Sequence, residues 1–596
     1  MWVGADTGGT FTDVVTETGV VVKVPSTPRD PGRAVRDGTG ALRGAVDHLA
    51  HGTTVATNAL LERRGGNVAL VTTEGFADVI EIARQARPSL YDPEVVRPEP
   101  LVSRALRFEV PGRLDATGCE IEPIDASALD DVPADVEAVA VCLLHADLDA
   151  VHERAVAVAL SGRGFDVTGS HEVSPEFREY ERTVTTVVNA YLRPRCRRYL
   201  RSIDDVAGAV WVMTSAGGLV PVDTAAELPV TLLVSGPAGG VRAAAAVAAA
   251  CGFPDAVSFD MGGTSTDVCL IRGGMPEPSP VHEVAGLPVR VPGLDVHTIG
   301  AGGGSIARID PGGALVVGPE SAGAEPGPAC YGRGGIEPTA TDADLVLGRI
   351  PADAGFPGLG RLDRAAAEAA LARAGVTAEG VVQVVDAGME RAVRAVTVAR
   401  GVDPRQVALV AFGGAGPLHA CAVAEALGVP AVIVPPRAGV FSAVGLLAAP
   451  VQRDLVRTWP TPREHHGLAA ARAELEQEVA ALVPPDPALV VESSLDVRYA
   501  GQSHELTVAE LDDFPAEHAR RNGYQRPGMP VEVTAIRARA RIDSPLRPTD
   551  LPAVERAPQR GPVVVAEPDC TVWIPDGWSA RVAARGAWVL EREGRA

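Results

Sequence analysis

Asp6-Thr-Gly-Gly-Thr-Phe-Thr-Asp13-Val14 returns as Asp260-Met-Gly-Gly-Thr-Ser-Thr-Asp267-Val268, with seven of nine positions identical. Apolar runs flank both copies, so each Gly-Gly pair predicts a hairpin whose glycines take the positive φ of a tight turn. Bare backbone N–H groups at such a turn can point at a phosphate. Asp6, Gly8, Gly9, Thr10, Thr12 and Asp13 form the first candidate loop. Asp260, Gly262, Gly263, Thr264, Thr266 and Asp267 form the second. Amides and hydroxyls would hold phosphate, Asp13 and Asp267 would reach Mg²⁺ through water, and Asp6 and Asp260 are the catalytic candidates. One copy alone could be an ordinary hairpin. Two copies at domain-scale separation can grip a polyphosphate from both sides.

Other segments could complete such a site. Val407 to Gly416 reads as strand, glycine turn and helix, with Gly413, Gly414 and Gly416 allowing close approach of a flat ring or a phosphate. Ser235 to Gly240 and Gly300 to Gly304 also expose backbone, the latter as a nucleotide or substrate loop or a plain flexible one. His51, beside Thr53 and Thr54, is a catalytic candidate touching substrate or phosphate, or part of a helix cap. His145, Asp149 and His171, near Asp147 and His152, could form a mixed N/O site for Mn²⁺, Fe²⁺ or Zn²⁺, or be scattered surface groups. The Gly/Pro-rich stretch 318–335 carries Cys330, a nucleophile or a structural thiol. Asp342 and Asp344 could contact metal or cap the next helix.

Alternating strand and helix patterns imply an α/β core that must position these residues. Three units are expected: residues 1–204 with the first hairpin, 205–455 with the second hairpin and the glycine turn, and a small, mostly β unit over 456–596. Lys23 is the only lysine among 54 Lys and Arg residues, so no GxxxxGK[ST] loop exists. The Ala/Gly/Arg/Val bias accounts for the scarcity without a functional reason. Any phosphate must then be held by backbone amides, hydroxyls, arginine and metal. A net charge of −22 argues against nucleic acid and anionic membranes as partners. Eight cysteines without a CxxC pair indicate neither zinc knuckle nor disulfide framework. The N-terminus reads directly into a strand, which suggests a cytoplasmic chain.

GADTGGTFTDVV, HGTTVATNALLER, SGPAGGV, SFDMGGTSTDV, HTIGAGGGSIA, SAGAEPGPACYGRGG, TDADLVLGR and FGGAGPLHA follow in order to about residue 450. Together they resemble the hydantoinase A / 5-oxoprolinase family, and GPVVVAEPDCTVWIP extends the match towards the C-terminus. The resemblance implies an actin-like (ribonuclease H-like) duplicated ATPase core, ATP with Mg²⁺ and often K⁺, and opening of a cyclic amide. It also implies an A-type chain working with a B-type partner subunit in a hetero-oligomer. Acetone carboxylase is a related pattern. It would make the chain the ATP-binding subunit of a carboxylase with a transition metal at His145, Asp149 and His171.

Overall fold

The first glycine motif folds as a hairpin. Strand Trp2–Thr7 pairs antiparallel with Phe11–Thr16, which sets Asp6 opposite Asp13. Phe11–Thr16 pairs on its outer side with Val21–Pro25, and Trp2–Thr7 pairs in parallel with His48–Thr53, which pairs in parallel with Ala209–Met213. The second motif repeats this order. Ala256–Met261 pairs antiparallel with Thr266–Arg272, setting Asp260 opposite Asp267, and Thr266–Arg272 pairs with Met275–Pro276. Ala408–Phe412 and then Ala431–Val434 follow in parallel on the other side. These central strands are buried along their whole length, so they read as unbroken apolar runs. The computed structural model describes residues 1–27, 30–87, 89–92, 94–353 and 360–594.

Two of the expected boundaries move. Ala209–Met213 and Leu219–Pro221 complete the first sheet, so the first half runs past residue 205. Apart from the two-stranded pair Val563–Ala566 and Thr571–Ile574, the strands after 455 join the two large sheets. Val451–Thr458, Val531–Ile542, Val490–Tyr499 and Leu506–Val508 extend the first sheet to ten strands. Trp588–Arg592 pairs antiparallel with Ala431–Val434 and carries Trp578–Val582 and Gln559–Arg560 onto the second sheet. The physical reason is the open edge: an unpaired strand exposes N–H and C=O groups that another strand satisfies. A separate four-stranded sheet (Arg107–Val110, Val68–Thr73, Ala138–Cys142, Val167–Gly169) rides on the first half with its own apolar core.

Two helices, Gly236–Ala250 and Phe441–Leu447, cross between the sheets. A Cβ at Gly445 would run into the Gly239 carbonyl, and a Cβ at Gly239 would lie 2.9 Å from the Ser442 carbonyl oxygen. The Ser235–Gly240 motif is thus partly a packing motif, needed for backbone-to-backbone contact. Phe441–Leu447 also lies on the first strand, because a Cβ at Gly4 would collide with the Ala443 carbonyl. Among the described residues, no helix is long and apolar enough to cross a membrane.

Overpacking a tight backbone contact costs about 3 kcal/mol, because neither carbonyl can move aside cheaply. Gly445→Val is therefore expected to lower the unfolding free energy, read from urea denaturation, by about that amount. Gly388→Ala, inside helix Ala378–Val396 with nothing within 4 Å of a new Cβ, is expected to raise it by about 1 kcal/mol. Equal unfolding midpoints for the two variants would contradict this packing account.

Candidate functional site

The two hairpin turns face each other. A Cβ at Gly263 would lie 2.7 Å from Thr10 Oγ1, and a Cβ at Gly9 would lie 3.6 Å from the Thr264 methyl. Gly8, Gly9, Gly262 and Gly263 all keep negative or extended φ, contrary to the positive φ expected of the turns. Of the four, Gly263 must stay small for the opposing hairpin, where Thr10 lies. The same holds behind each aspartate. A Cβ at Gly52 would lie 2.6 Å from Asp6 Oδ1, and Gly413, at φ +79°, would set a Cβ 2.5 Å from the Met261 carbonyl oxygen beside Asp260. Both glycines end a parallel strand and precede a helix, Val55–Leu61 and Gly416–Leu427.

Between the turns lies a cavity of about 240 Å³, lined by Asp6, Gly8, Gly9, Thr10, Asp13, Asp260, Gly262, Gly263, Thr264, Asp267, Gly413 and Gly414. Four carboxylates crowd one place, and directly opposed like charges destabilise a strand pair. Burial, followed by repulsion from Asp13 and Asp260, pushes the Asp6 carboxyl up to about 8 against the pull of Lys23. Burial and Asp267 push Asp260 up to about 7, opposed by a hydrogen bond from Ser442 Oγ at 3.1 Å. Burial pushes Asp267 up to about 6 despite the Thr298 hydroxyl at 2.5 Å. Asp13 is raised by burial and held down by Lys23, whose Nζ lies 2.9 Å from Asp13 Oδ1. Among the described residues, Asp6 Oδ1 has no hydrogen-bond partner. A site with this much unneutralised acid is built to receive positive charge.

Each turn is braced from behind. Ser26 Oγ donates to the Gly8 carbonyl at 2.8 Å, and Ser26 N donates to Thr10 O at 3.0 Å. Gly303 N and Gly304 N donate to the Gly262 and Gly263 carbonyls at 3.0 and 2.7 Å. Gly300 to Gly304 is therefore largely the brace of the second hairpin, with Gly303 alone among its glycines lining the cavity. Ile350, Leu418 and Tyr331 form a more apolar wall beyond Gly413, with Asp344 among them.

Several expected residues stand elsewhere. Thr12 is fully buried beside Thr7 and Ser26, and Thr266 Oγ1 donates to the Ala301 carbonyl at 2.6 Å. Gly416 starts its helix against Phe259 rather than lining the cavity. His51 is also absent from the lining. It is fully buried behind the first strand, with Nδ1 2.9 Å from Ala5 O and Nε2 2.6 Å from Tyr199 Oη, and burial pushes it down to about 4. It is a neutral brace for the strand that carries Asp6. His145, Asp149 and His171 do not converge. His171 Nδ1 pairs with Glu153 at 2.6 Å, Asp149 Oδ1 accepts from Val151 N, and His152 pairs with Glu120 at 2.8 Å. His171 and His152 are taken by carboxylates and Asp149 by an amide, and among the described residues these groups form no shared ligand set. Cys330 is buried, with its thiol pushed up by burial and by Asp342, which caps helix Ala340–Val346. That thiol is structural.

Three groups were not foreseen. Lys23 lines the cavity. So does the segment Glu567 to Thr571, in which Glu567, Asp569 and Cys570 lie close enough to share a metal ion. Glu567 is paired with Arg556, however, and Asp569 accepts the Gly439 N–H at 2.7 Å. The acidic spacing Glu-Pro-Asp-Cys was the only sequence signal for that wall. The third group is His419, fully buried with Nδ1 2.7 Å from Asp386 and Nε2 3.2 Å from Asp344. Burial alone would lower its pKa, but Asp344 and Asp386 outweigh it and hold His419 at about 10.

Residues 2–164 match the hydantoinase/oxoprolinase N-terminal region, and residues 182–455 match the hydantoinase/oxoprolinase domain. The chain is similar to caprolactamase subunit alpha of Pseudomonas jessenii, at 33% identity over 96% of this chain and 97% of that one. It is similar to the 5-oxoprolinase of Dictyostelium discoideum at 30% identity over 87% of its own length, and spans about half (49%) of that protein. In three dimensions it matches the crystal structure of ATP-dependent caprolactamase from Pseudomonas jessenii, with a TM-score of 0.86, 30% identity and full coverage of both chains. Nucleotide-free acetone carboxylase shares the fold, with a TM-score of 0.81 at 24% identity over 99% of each chain.

His419 generates a pH prediction. Its folded pKa lies above the unfolded value, so its contribution is complete below pH 6.5 and disappears as pH rises through about 10. His419→Gln leaves two carboxylates facing a neutral amide and is expected to cost about 3 kcal/mol at pH 7. The wild type is expected to converge on the variant by pH 10.5. Chemical unfolding of both proteins from pH 6 to 10.5 measures this, and a constant gap would disprove the charged imidazole.

Proposed function

Because the chain belongs to the hydantoinase/oxoprolinase family, we propose that it is the ATP-using subunit of an enzyme that opens cyclic amides. The observation that carries this reading is the pair of facing Asp-x-Gly-Gly-Thr turns around one cavity. The repeated strand order of the two sheets supports an actin-like core, in which such turns hold nucleotide phosphates from both sides. The nucleoside would then lie towards Gly413 and Gly414, where Ile350 and Leu418 offer apolar surface for a base.

An unstrained lactam is a poor electrophile. Transfer of the ATP γ-phosphoryl group to the amide oxygen breaks the β–γ phosphoanhydride, forms a new P–O bond and releases ADP. Water can then attack the ring carbon, because phosphate is a good leaving group. Backbone N–H groups of Gly9 and Gly263 and the hydroxyls of Thr10 and Thr264 would hold the polyphosphate, while the Gly8 and Gly262 N–H groups close their own turns on the Phe11 and Ser265 carbonyls. Asp6, Asp13, Asp260 and Asp267 fit a divalent cation, since their raised pKa values and the orphaned Asp6 Oδ1 signal missing positive charge. Mg²⁺ bound there, through water, would neutralise phosphate charge. Lactams, hydantoins and 5-oxoproline are the substrate class. A relative named as an alpha subunit, and a 5-oxoprolinase twice as long, support a B-type partner that completes hydrolysis. The carboxylase alternative leaned on His145, Asp149 and His171, and among the described residues those three do not make up a group that could hold a metal ion.

Two measurements test the reading. Purified chain plus a B-type subunit is expected to hydrolyse ATP faster with caprolactam, a hydantoin or 5-oxoproline than with acetone and bicarbonate. Stimulation by the ketone and bicarbonate alone would sink it. Asp6→Asn and Asp260→Asn are each expected to reduce turnover at least 100-fold.

Asp6 and Asp260, whose carboxyls are pushed up to about 8 and about 7, would have to give up their protons to hold Mg²⁺. The affinity for Mg·ADP is therefore expected to rise from pH 6 to 8, by up to about tenfold per unit for each proton released. Calorimetric titration at several pH values checks this, with the slope flattened in Asp6→Asn. The ligand-free protein should show the opposite trend. A carboxyl whose pKa is raised on folding binds more protons folded than unfolded, so stability falls as pH climbs from 4 towards 8.

A further inference from the structure

We propose that Lys23 is the cation of the phosphate site, the group that meets the terminal phosphate oxygens when nucleotide binds. This rests on the nucleotide reading above and adds to it a residue with a defined role. The chain uses arginine at every other one of its 54 basic side-chain positions, yet keeps lysine at the single point where a strand beside the first hairpin meets the cavity.

The geometry explains the choice. Lys23 lies on Val21–Pro25 directly across from Asp13. Its ammonium is held by Asp13 Oδ1 at 2.9 Å and the Gly439 carbonyl at 3.1 Å, with the Phe11 ring centroid 5.2 Å away. Its side chain is only 13% exposed. An ammonium is a compact charge with three donors, two of which are accounted for by these oxygens. A guanidinium is a wider, planar fork that cannot occupy the same notch without displacing one of them. Among the described residues that line the cavity, Lys23 is the only Lys or Arg, facing Asp6, Asp13, Asp260 and Asp267. It therefore supplies from a neighbouring strand the point charge that a Walker loop carries in its own turn.

The Asp13–Lys23 pair also gives the empty site a resting arrangement. Each group keeps the other solvated until ligand arrives. On binding, Asp13 exchanges the ammonium for the hydrated metal, and Lys23 exchanges the carboxylate for phosphate oxygen. Charge is conserved within the site, so little new desolvation is incurred. As negative charge shifts towards the β-phosphate in phosphoryl transfer, the ammonium offsets it without moving far.

One lysine makes the test unusually clean. Reductive methylation of the full-length protein can modify only Lys23 and the α-amine. Peptide mapping by mass spectrometry follows the two separately. Mg·ADP is expected to slow methylation of Lys23 at least tenfold and leave the α-amine rate unchanged. Lys23→Arg and Lys23→Met are both expected to lower ATP turnover at least 100-fold, and Lys23→Met to weaken Mg·ADP binding about tenfold. Unchanged Lys23 labelling under calorimetrically saturating Mg·ADP would overturn the proposal and leave the nucleotide reading intact. No Mg·ADP binding by the wild type would overturn the nucleotide reading and this one with it. If Lys23→Met does not fold, protection of the wild-type lysine still decides the question.

Discussion

Everything at the site depends on one backbone contact, the approach of helix Phe441–Leu447 to helix Gly236–Ala250. Gly445 and Gly239 bring the two helices together at a separation that no side chain allows. The short helix can then touch both halves of the molecule at once. Its Ala443 carbonyl rests on Gly4 of the first strand, while Ser442 Oγ reaches Asp260 of the second hairpin. Asp6 and Asp260 belong to different sheets, and this contact sets their relative position. The match of Gly9 to Thr264 and of Gly263 to Thr10 then follows from packing far behind the turns.

The charge of the site runs against stability. Asp6 opposes Asp13, and Asp260 opposes Asp267, in two hairpins that pack against each other. A fold selected for stability alone would not repeat that arrangement. The raised carboxyls record the cost, and a bound cation removes it. His419 shows a contrasting solution at the edge of the same cavity, where a buried imidazolium between Asp344 and Asp386 offsets part of the local acid from within the protein.

Much of this was legible from residue type and spacing. The repeated motif located both hairpins, the paired aspartates and the cavity between them, because local turn chemistry needs only neighbouring residues. The glycines were correctly placed and wrongly explained. A positive φ is a local property and can be guessed from sequence, whereas the true constraint on Gly263 is Thr10, in the other half of the fold. The histidines failed for a related reason. Spacing alone cannot say whether an imidazole meets a metal or the nearest carboxylate, and His171 found Glu153. Lys23 was visible as the only lysine but was attributed to composition, since nothing local links strand Val21–Pro25 to a phosphate.

The C-terminal residues were the least legible, and their path has a consequence for the site. After the second half is complete, the chain returns to the first sheet over 451–542 and then crosses again to the second sheet over 559–592. The two halves are therefore joined by strands as well as by the central helices. The second crossing delivers Asp569, whose carboxylate accepts the Gly439 N–H directly beside the carbonyl that holds Lys23. A chain ending near residue 450 would keep both glycine turns yet lack this wall, and the Gly439 backbone would lose its anchor. The cavity is thus a product of both sheets and the C-terminal strands, with the hairpins at its centre and the last strands fixing the residues that the hairpins face.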